Sequence, residues 1–255
     1  IYLLYQNMYG IFIYMKNKIF LPIFFILFLG LFIFGLVEFG PDLTDNSTPV
    51  IENTEEQMGE TVPKVFLEDG ETYSIKANYP ETDSQDITIY IDDAIAAFKV
   101  LVAPVSVGLS SGEYILDINY SVIESAKINT YIVKNYTYSG GAHGFEDTKT
   151  FSYKKDDNKT VTLDDLFKKD GYIPALSEVV KDAVLDLLGE DANIDMVEAG
   201  TSQAIENFER FYVTDDSIVF IFPPYAVAPY SEGTVEVSIS VNTLGGMIDL
   251  DYFSI

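Results

Sequence analysis

The 255-residue sequence has no cysteine, no tryptophan, one histidine (His143) and one arginine (Arg210). Without cysteine there is no disulfide, no thiolate metal site, no thiol nucleophile and no lipid attached through sulfur. A fold of this length stands without disulfides, so that absence leaves the compartment open. A lone histidine cannot complete a His pair around a metal or a Cys–His couple. Basic residues are scarce as well. Lys16 and Lys18 apart, residues 38–255 carry all 40 acidic residues and 13 of the 15 basic ones, a net charge of −27. Such a field repels nucleic acid, whose binding needs clustered Lys and Arg. It either steers cationic partners toward the protein or only keeps it soluble. EF-hand, Walker, H-E-x-x-H, G-x-S-x-G and Rossmann glycine patterns are also missing.

What is abundant first is apolar residues at the N-terminus. Ile19–Val37 is a run of nineteen uncharged positions rich in Phe, Ile and Leu. That is close to the ~20 residues a membrane-spanning helix needs. Pro22 falls in its first turn, where proline is tolerated. Lys16 and Lys18 precede the run and acids follow it, so the positive-inside rule places everything after Glu38 outside the cytoplasm. The run exceeds a signal-peptide core and no A-x-A-like site follows, which favours an uncleaved anchor over a cleaved signal. A buried core helix would need apolar neighbours all round. Met15 before Lys-Asn-Lys reads as a natural start, with 1–14 as upstream sequence. Residues 1–38 are thus the anchor segment, and 39–64, rich in Pro, Thr, Asn and Glu, an acidic stalk.

Beyond the stalk the hydrophobic period changes repeatedly. Tyr73–Tyr79 alternates as a strand and ends at Pro80. Ile87, Ile91, Ala94, Ile95 and Phe98 share one face of a helix over 84–102, with Asp83 or Ser84 as cap and Pro104 as stop. Strands follow at 114–122 and 129–139. A hairpin at 149–154 and 160–163 turns at Asp156-Asp157-Asn158. Leu176, Val179, Val180, Ala183, Leu187 and Leu188 stripe a helix over 174–188, and a weaker helix covers 195–209. Strands at 217–222 and 234–241 close the chain. This order predicts an α+β protein of two adjoining small units with antiparallel sheets and packed helices, 65–145 and 146–255, after the N-terminal transmembrane helix.

Two loops carry unusual chemistry. In Ser139-Gly140-Gly141-Ala142-His143-Gly144, three glycines flank the only imidazole. His143 there is a general base, a ligand, a pH-sensitive contact, or a turn residue bonded to the backbone. In Phe222–Tyr230, Pro223, Pro224 and Pro229 stiffen a loop carrying Tyr225 and Tyr230. Those rings either present a binding surface, with large area at low entropic cost, or pack down to brace the loop. Candidate binding residues are Tyr138, Gly140, Gly141, His143, Tyr225 and Tyr230. No catalytic residue, metal site or cofactor is expected. The pairs Asp156-Asp157, Asp164-Asp165 and Asp215-Asp216 lack Ca²⁺-loop spacing and read as turns or helix starts.

Three stretches carry a resemblance: YTYSGGAHG from Tyr136, TVTLDDLF from Thr160, and FYVTDDSIVFIFPPYAVAPYSEG from Phe211. Together they resemble the RsiV-like extracytoplasmic domain, over roughly 65–250. That family includes the outer, lysozyme-binding part of the anti-sigma factor RsiV and the non-catalytic N-terminal region of PdaC-type peptidoglycan deacetylases. The resemblance implies an α+β domain in two parts and recognition without catalysis. At most eighteen apolar residues precede the span, which argues against an anti-sigma segment. One histidine in total argues against the deacetylase chemistry.

The expected function is therefore a membrane-anchored binding module outside the cytoplasm, at a cell surface or in a periplasm. Its expected partner is a cationic protein such as lysozyme, or peptidoglycan. The alternatives are a structural or assembly factor of the envelope and a small wall-modifying hydrolase using His143. The first is separated by insensitivity to changes at His143 and Tyr225, the second by a turnover that His143→Ala abolishes.

Overall fold

An eleven-residue strand whose apolar positions alternate needs a partner for its buried face, and a 17-residue amphipathic helix supplies it. The computed structural model describes residues 63–103, 113–168 and 170–255. The anchor expected at 19–37, the Met15 start and the stalk up to residue 62 lie outside the described residues, as does Pro104. Among the described residues no helix is long and apolar enough to cross a membrane. All of them fall within one compact unit, 56–255.

The elements are β1 (Pro63–Asp69), β2 (Tyr73–Pro80), α1 (Asp86–Val102), β3 (Tyr114–Glu124), β4 (Ile128–Tyr138), β5 (Phe145–Lys154) and β6 (Thr160–Val161). After them come α2 (Ile173–Leu188), α3 (Ile194–Gly200), β7 (Phe211–Val213), β8 (Ser217–Phe222), β9 (Val235–Ser240) and the single turn α4 (Val241–Leu244). The fold is α+β, with a six-stranded sheet in the order β1 to β6 and a three-stranded sheet β7-β8-β9. Neighbouring strands are antiparallel except β2 and β3, which run parallel from Tyr73↔Tyr114 to Ala77↔Ile118. The reason is α1: a helix between two strands of one sheet is the crossover that parallel pairing requires.

Two cores result. In the first, Ile87, Ile91, Ile95, Phe98 and Val102 of α1 cover Ile75, Ala77, Leu116, Ile118 and Val133 of the large sheet. In the second, Leu176, Val180 and Val184 of α2 cover one face of β7–β9, where Phe211, Ile218, Phe220, Phe222, Val237 and Ile239 are buried. Every residue of β8 is buried, so this central strand is covered on both faces. β5 pairs with β4 from Thr137↔Phe145 to Ile128↔Lys154, so the large sheet runs across residue 145 and ends at Val161.

The only arginine joins the two sheets. Arg210 Nε donates to the Thr148 carbonyl at 2.8 Å and Nη2 to Asp147 Oδ1 at 3.2 Å. Next to it the Phe211 amide donates to Thr150 Oγ1 at 3.2 Å. Asp215, expected as a turn residue, also accepts from the Ala126 amide at 2.7 Å, tying the β7–β8 turn to the β3–β4 turn.

The structure adds β1 and β7 to the expected strands. Pro63 and Lys64, read as the end of the stalk, open β1. Three apolar residues bounded by charges, and a three-residue strand, are too short to show a period. The weak helix expected at 195–209 is α3 followed by a separate 3₁₀ turn, Ile205–Phe208. Thr201 ends α3 by turning its hydroxyl back onto the Val197 carbonyl at 2.7 Å.

Tyr90 on α1 meets Phe151 edge-on at 5.8 Å. Burial, then the Asp147 carboxylate, push its hydroxyl up to about 12. The folded state thus holds this proton more tightly than the unfolded chain, whose tyrosines titrate near ~10. The resulting stabilisation is complete below about pH 10 and is lost as pH rises toward and through about 12. Urea midpoints measured against pH are expected to decline in that window. Tyr90→Phe should make the decline shallower by about one proton. An unchanged slope would mean that Tyr90 does not titrate with unfolding.

Candidate functional site

The first loop lies between β4 and β5. Gly140 adopts φ +87°, which side-chain-bearing residues rarely tolerate, so the turn needs glycine there. Tyr138 closes the turn, its hydroxyl donating to the Gly141 carbonyl at 3.0 Å. His143 Nδ1 lies 2.9 Å from the Gly144 carbonyl. A carbonyl only accepts, so Nδ1 carries the proton and, in the neutral ring, Nε2 keeps its lone pair. Among the described residues no carboxylate or hydroxyl hydrogen-bonds to this ring. Gly144 is buried, and a Cβ there would run into the ring of Tyr136.

The second loop connects β8 and β9. Val227 and Ala228 are buried at its centre and belong to the second core. Tyr225 has φ +71°, uncommon for a residue with a side chain, and its amide bonds the Ala228 carbonyl at 3.1 Å. The Ala226 amide bonds the Pro223 carbonyl at 3.0 Å. Tyr230 starts a 3₁₀ turn that ends at Gly233, φ +67°. Val227 and Ala228 therefore brace the loop, while Tyr225 and Tyr230 stay 55% and 42% exposed.

The two loops, far apart in sequence, meet. The His143 ring stacks on Tyr230 with centroids 4.5 Å apart and planes 24° from parallel. Tyr230 in turn lies 5.5 Å from Tyr225, tilted by 33°. Tyr230 is the middle ring of three, all on the surface. Tyr138, Gly140 and Gly141 shape the hairpin that carries His143. The hairpin has two further exposed rings that the sequence reading passed over, Tyr136 and Phe145. They belong to adjacent cross-strand pairs, Tyr136↔Glu146 and Thr137↔Phe145, so they point to opposite faces of the sheet. Their position at the strand ends nearest the loop was the available signal.

Such an array can do one thing well chemically. Exposed rings fixed by backbone bonds offer apolar area whose ordering has already been met in the free protein. The acidic pairs serve other ends. Asp165 Oδ2 accepts from the Thr162 amide and hydroxyl at 2.8 and 2.7 Å. Burial pushes its pKa up, and the Thr162 bonds more than reverse this, leaving the carboxyl below its ordinary value. Asp164 accepts from the Tyr172 hydroxyl at 2.6 Å, and Asp157 from the Lys159 amide at 3.1 Å. Among the described residues no group of three or more His, Asp or Glu is placed to hold a metal ion. A separate cleft of about 190 Å³ opens between the sheets beside Lys134, Thr148, Tyr212 and Glu236, and none of the three rings lines it.

Comparison with known proteins adds relatives. Residues 164–242 match the family model described as "Protein of unknown function (DUF3298)". That stretch includes Tyr225 and Tyr230 but not His143. The chain is 28% identical over 208 residues to Peptidoglycan-N-acetylmuramic acid deacetylase PdaC of Bacillus subtilis (strain 168), covering 78% of this chain. It spans 44% of the length of that relative. It is 26% identical over 180 residues to Immunogenic protein MPT64 of Mycobacterium tuberculosis (strain ATCC 25618 / H37Rv), covering 69% of this chain and 76% of that one. Among solved structures, a DUF3298 family protein from Pseudomonas aeruginosa PAO1 superposes with a TM-score of 0.58 at 18% identity, covering 78% of this chain and 98% of that one. A DUF3298 member from Bacteroides fragilis NCTC 9343 gives 0.52 at 19%, covering 74% and 93%. Residues 164–242 thus match the DUF3298 model, the chain is similar to part of PdaC, and it shares the fold of the two structures.

Proposed function

We propose that this chain is an RsiV-like binding module, anchored in a membrane by residues 19–37 and displayed outside the cytoplasm, that captures a cationic protein of lysozyme type without catalysis. One observation carries the reading: His143, Tyr225 and Tyr230, from two distant loops, form an exposed stack held by backbone bonds. The charge of −25 supports it, since a strongly acidic protein accelerates encounter with a basic partner. The rings supply the buried contact and the field supplies rate and selectivity. Cell-wall glycan is the second reading. It is favoured by the flat stacked rings and by similarity to a protein named for acting on peptidoglycan.

The test is a titration of the full chain, in detergent micelles, with a cationic lysozyme and separately with soluble peptidoglycan fragments, at low salt and at about 0.15 M. Saturable binding to lysozyme that weakens with salt yet persists at physiological strength is the expected result. Tyr230→Ala should then lower affinity roughly 30-fold, as for a central interface ring. At 42% exposure the substitution should cost the fold little. Lysozyme binding that vanishes with modest salt, together with saturable glycan binding, transfers the site to the second reading. Binding of neither, or binding indifferent to Tyr225→Ala and Tyr230→Ala, rejects this site.

A further inference from the structure

β1 is an open edge: it pairs with β2, and among the described residues no strand lies on its other side. Its backbone phase follows from the turn. The Gly70 amide bonds the Tyr73 carbonyl at 2.8 Å, which makes 70/73 a bonded pair of the ladder. Bonded and non-bonded pairs alternate in an antiparallel ladder. Hence Glu68↔Ile75, Phe66↔Ala77 and Lys64↔Tyr79 exchange hydrogen bonds, and the amides and carbonyls of Val65, Leu67 and Asp69 point outward. Val65 and Leu67 are also 57% and 68% exposed, unusual for apolar residues on a free edge.

The strand reads Pro63-Lys64-Val65-Phe66-Leu67-Glu68-Asp69, and it is complementary to itself when reversed. We infer that β1 is a docking edge for β1 of a second copy of this chain, antiparallel about a two-fold axis through Phe66. In that register Val65 faces Leu67 of the second copy, and this pair, made twice, exchanges the outward backbone bonds. Lys64, paired with Glu81 at 3.4 Å in its own copy, faces Glu68 of the second copy, whose carboxylate already accepts from Lys99 and Tyr73, so this contact, also made twice, joins existing pairs rather than free charges. Phe66 lies beside its own equivalent, on the face where Phe66 and Glu68 are half-buried. Pro63, which has no N–H to offer, sits at the rim opposite Asp69. Neighbouring registers lose this match: an axis through Leu67 sets Val65 against Asp69, and an axis through Val65 sets Lys64 against Phe66. A foreign strand would meet Lys64 and Glu68 without the complementary order, so the same charges that guard the edge against other chains admit its own copy.

The expected association is weak, because one strand edge buries less than a stable dimer needs. It is also opposed by the net charge of −25 on each copy. Salt screens that repulsion, so self-association strengthens as salt rises, the reverse of the dependence expected for a cationic partner.

The sequence has no cysteine, so an introduced thiol is unique. The full chain in detergent micelles, oxidised under mild conditions, reads the register directly. Phe66→Cys should form a disulfide-linked dimer, since the axis places it against itself. Val65→Cys and Leu67→Cys should each cross-link poorly alone. Mixed together they should give a heterodimer several-fold above either single sample, increasing with salt. Should Phe66→Cys fail to fold, the mixed pair at exposed positions still decides. Equal yields from the single and mixed samples, or no cross-link in the mixture at high salt, overturns the proposal. The readout does not involve lysozyme or the ring cluster, so its failure leaves the proposed function untouched.

Discussion

Phe220→Ala is expected to lower the free energy of unfolding by about 4 kcal/mol, the middle of the range for truncating a buried phenylalanine. Phe220 is fully buried in the central strand of the small sheet. It meets Phe208 edge-on at 5.8 Å and Phe211 at 6.5 Å. Its strand neighbours are Phe211 on β7 and Val237 on β9, and backbone ladders hold both in place. Walls tied by ladders cannot collapse into the space, so the cavity cost adds to the lost transfer energy. For a unit of this size the midpoint of thermal unfolding should fall by roughly 8–16 °C. Urea unfolding with an unchanged slope checks the magnitude. A loss below about 1.5 kcal/mol would mean that the second core repacks freely.

Gly200→Ala is the second large effect, and it links the core to the rings. Gly200 ends α3, and an added Cβ would collide with the Ala226 carbonyl and the Val227 side chain. The obstacle is backbone, so something must shift, and overpacking of this kind costs about 1–3 kcal/mol. The part that must move is the loop carrying Tyr225 and Tyr230. The substitution should therefore lower thermal stability and also weaken capture of a cationic partner. Gly246→Ala is the control, because an added Cβ there meets nothing within 4 Å. It should leave both readouts nearly unchanged. If the two variants behave alike, the 223–230 loop yields without strain and the coupling is absent.

The difference between these two sites marks how far local pattern reaches. The period of Ile87, Ile91, Ile95 and Phe98 is enough to identify a helix and its buried face, and the structure buries all four. Leu176 and Val180 do the same for α2, whereas Leu187, expected in the same stripe, is 59% exposed near the end of the helix. The alternation at 73–79 and 234–241 likewise marks strands and their inner faces. These are legible because 3.6-residue and 2-residue periods are local consequences of backbone geometry. Composition settles the sign and size of the charge. The glycines around His143 and the prolines around Tyr225 identify two loops worth weighing, each for a conformational reason that acts within a few residues.

What a period cannot encode is the partner of a face. Whether Tyr225 and Tyr230 would point out or pack down was undecided in the sequence. It was decided by Val227 and Ala228, which occupy the core beneath them. That Tyr230 should stack on His143 depended on how the two sheets are joined. Arg210, Thr148, Thr150 and Asp215 make that joint, through bonds whose members are about 60 residues or more apart. β1 and β7 were missed for a related reason: each is a strand only because a neighbour's ladder holds it. The sequence by itself determined the elements, their inner faces and the sign of the field, because those follow from local geometry and summed charge. Only the tertiary structure decided which loops meet, which strands run parallel and which edge stays open, because those depend on contacts between residues far apart in the chain.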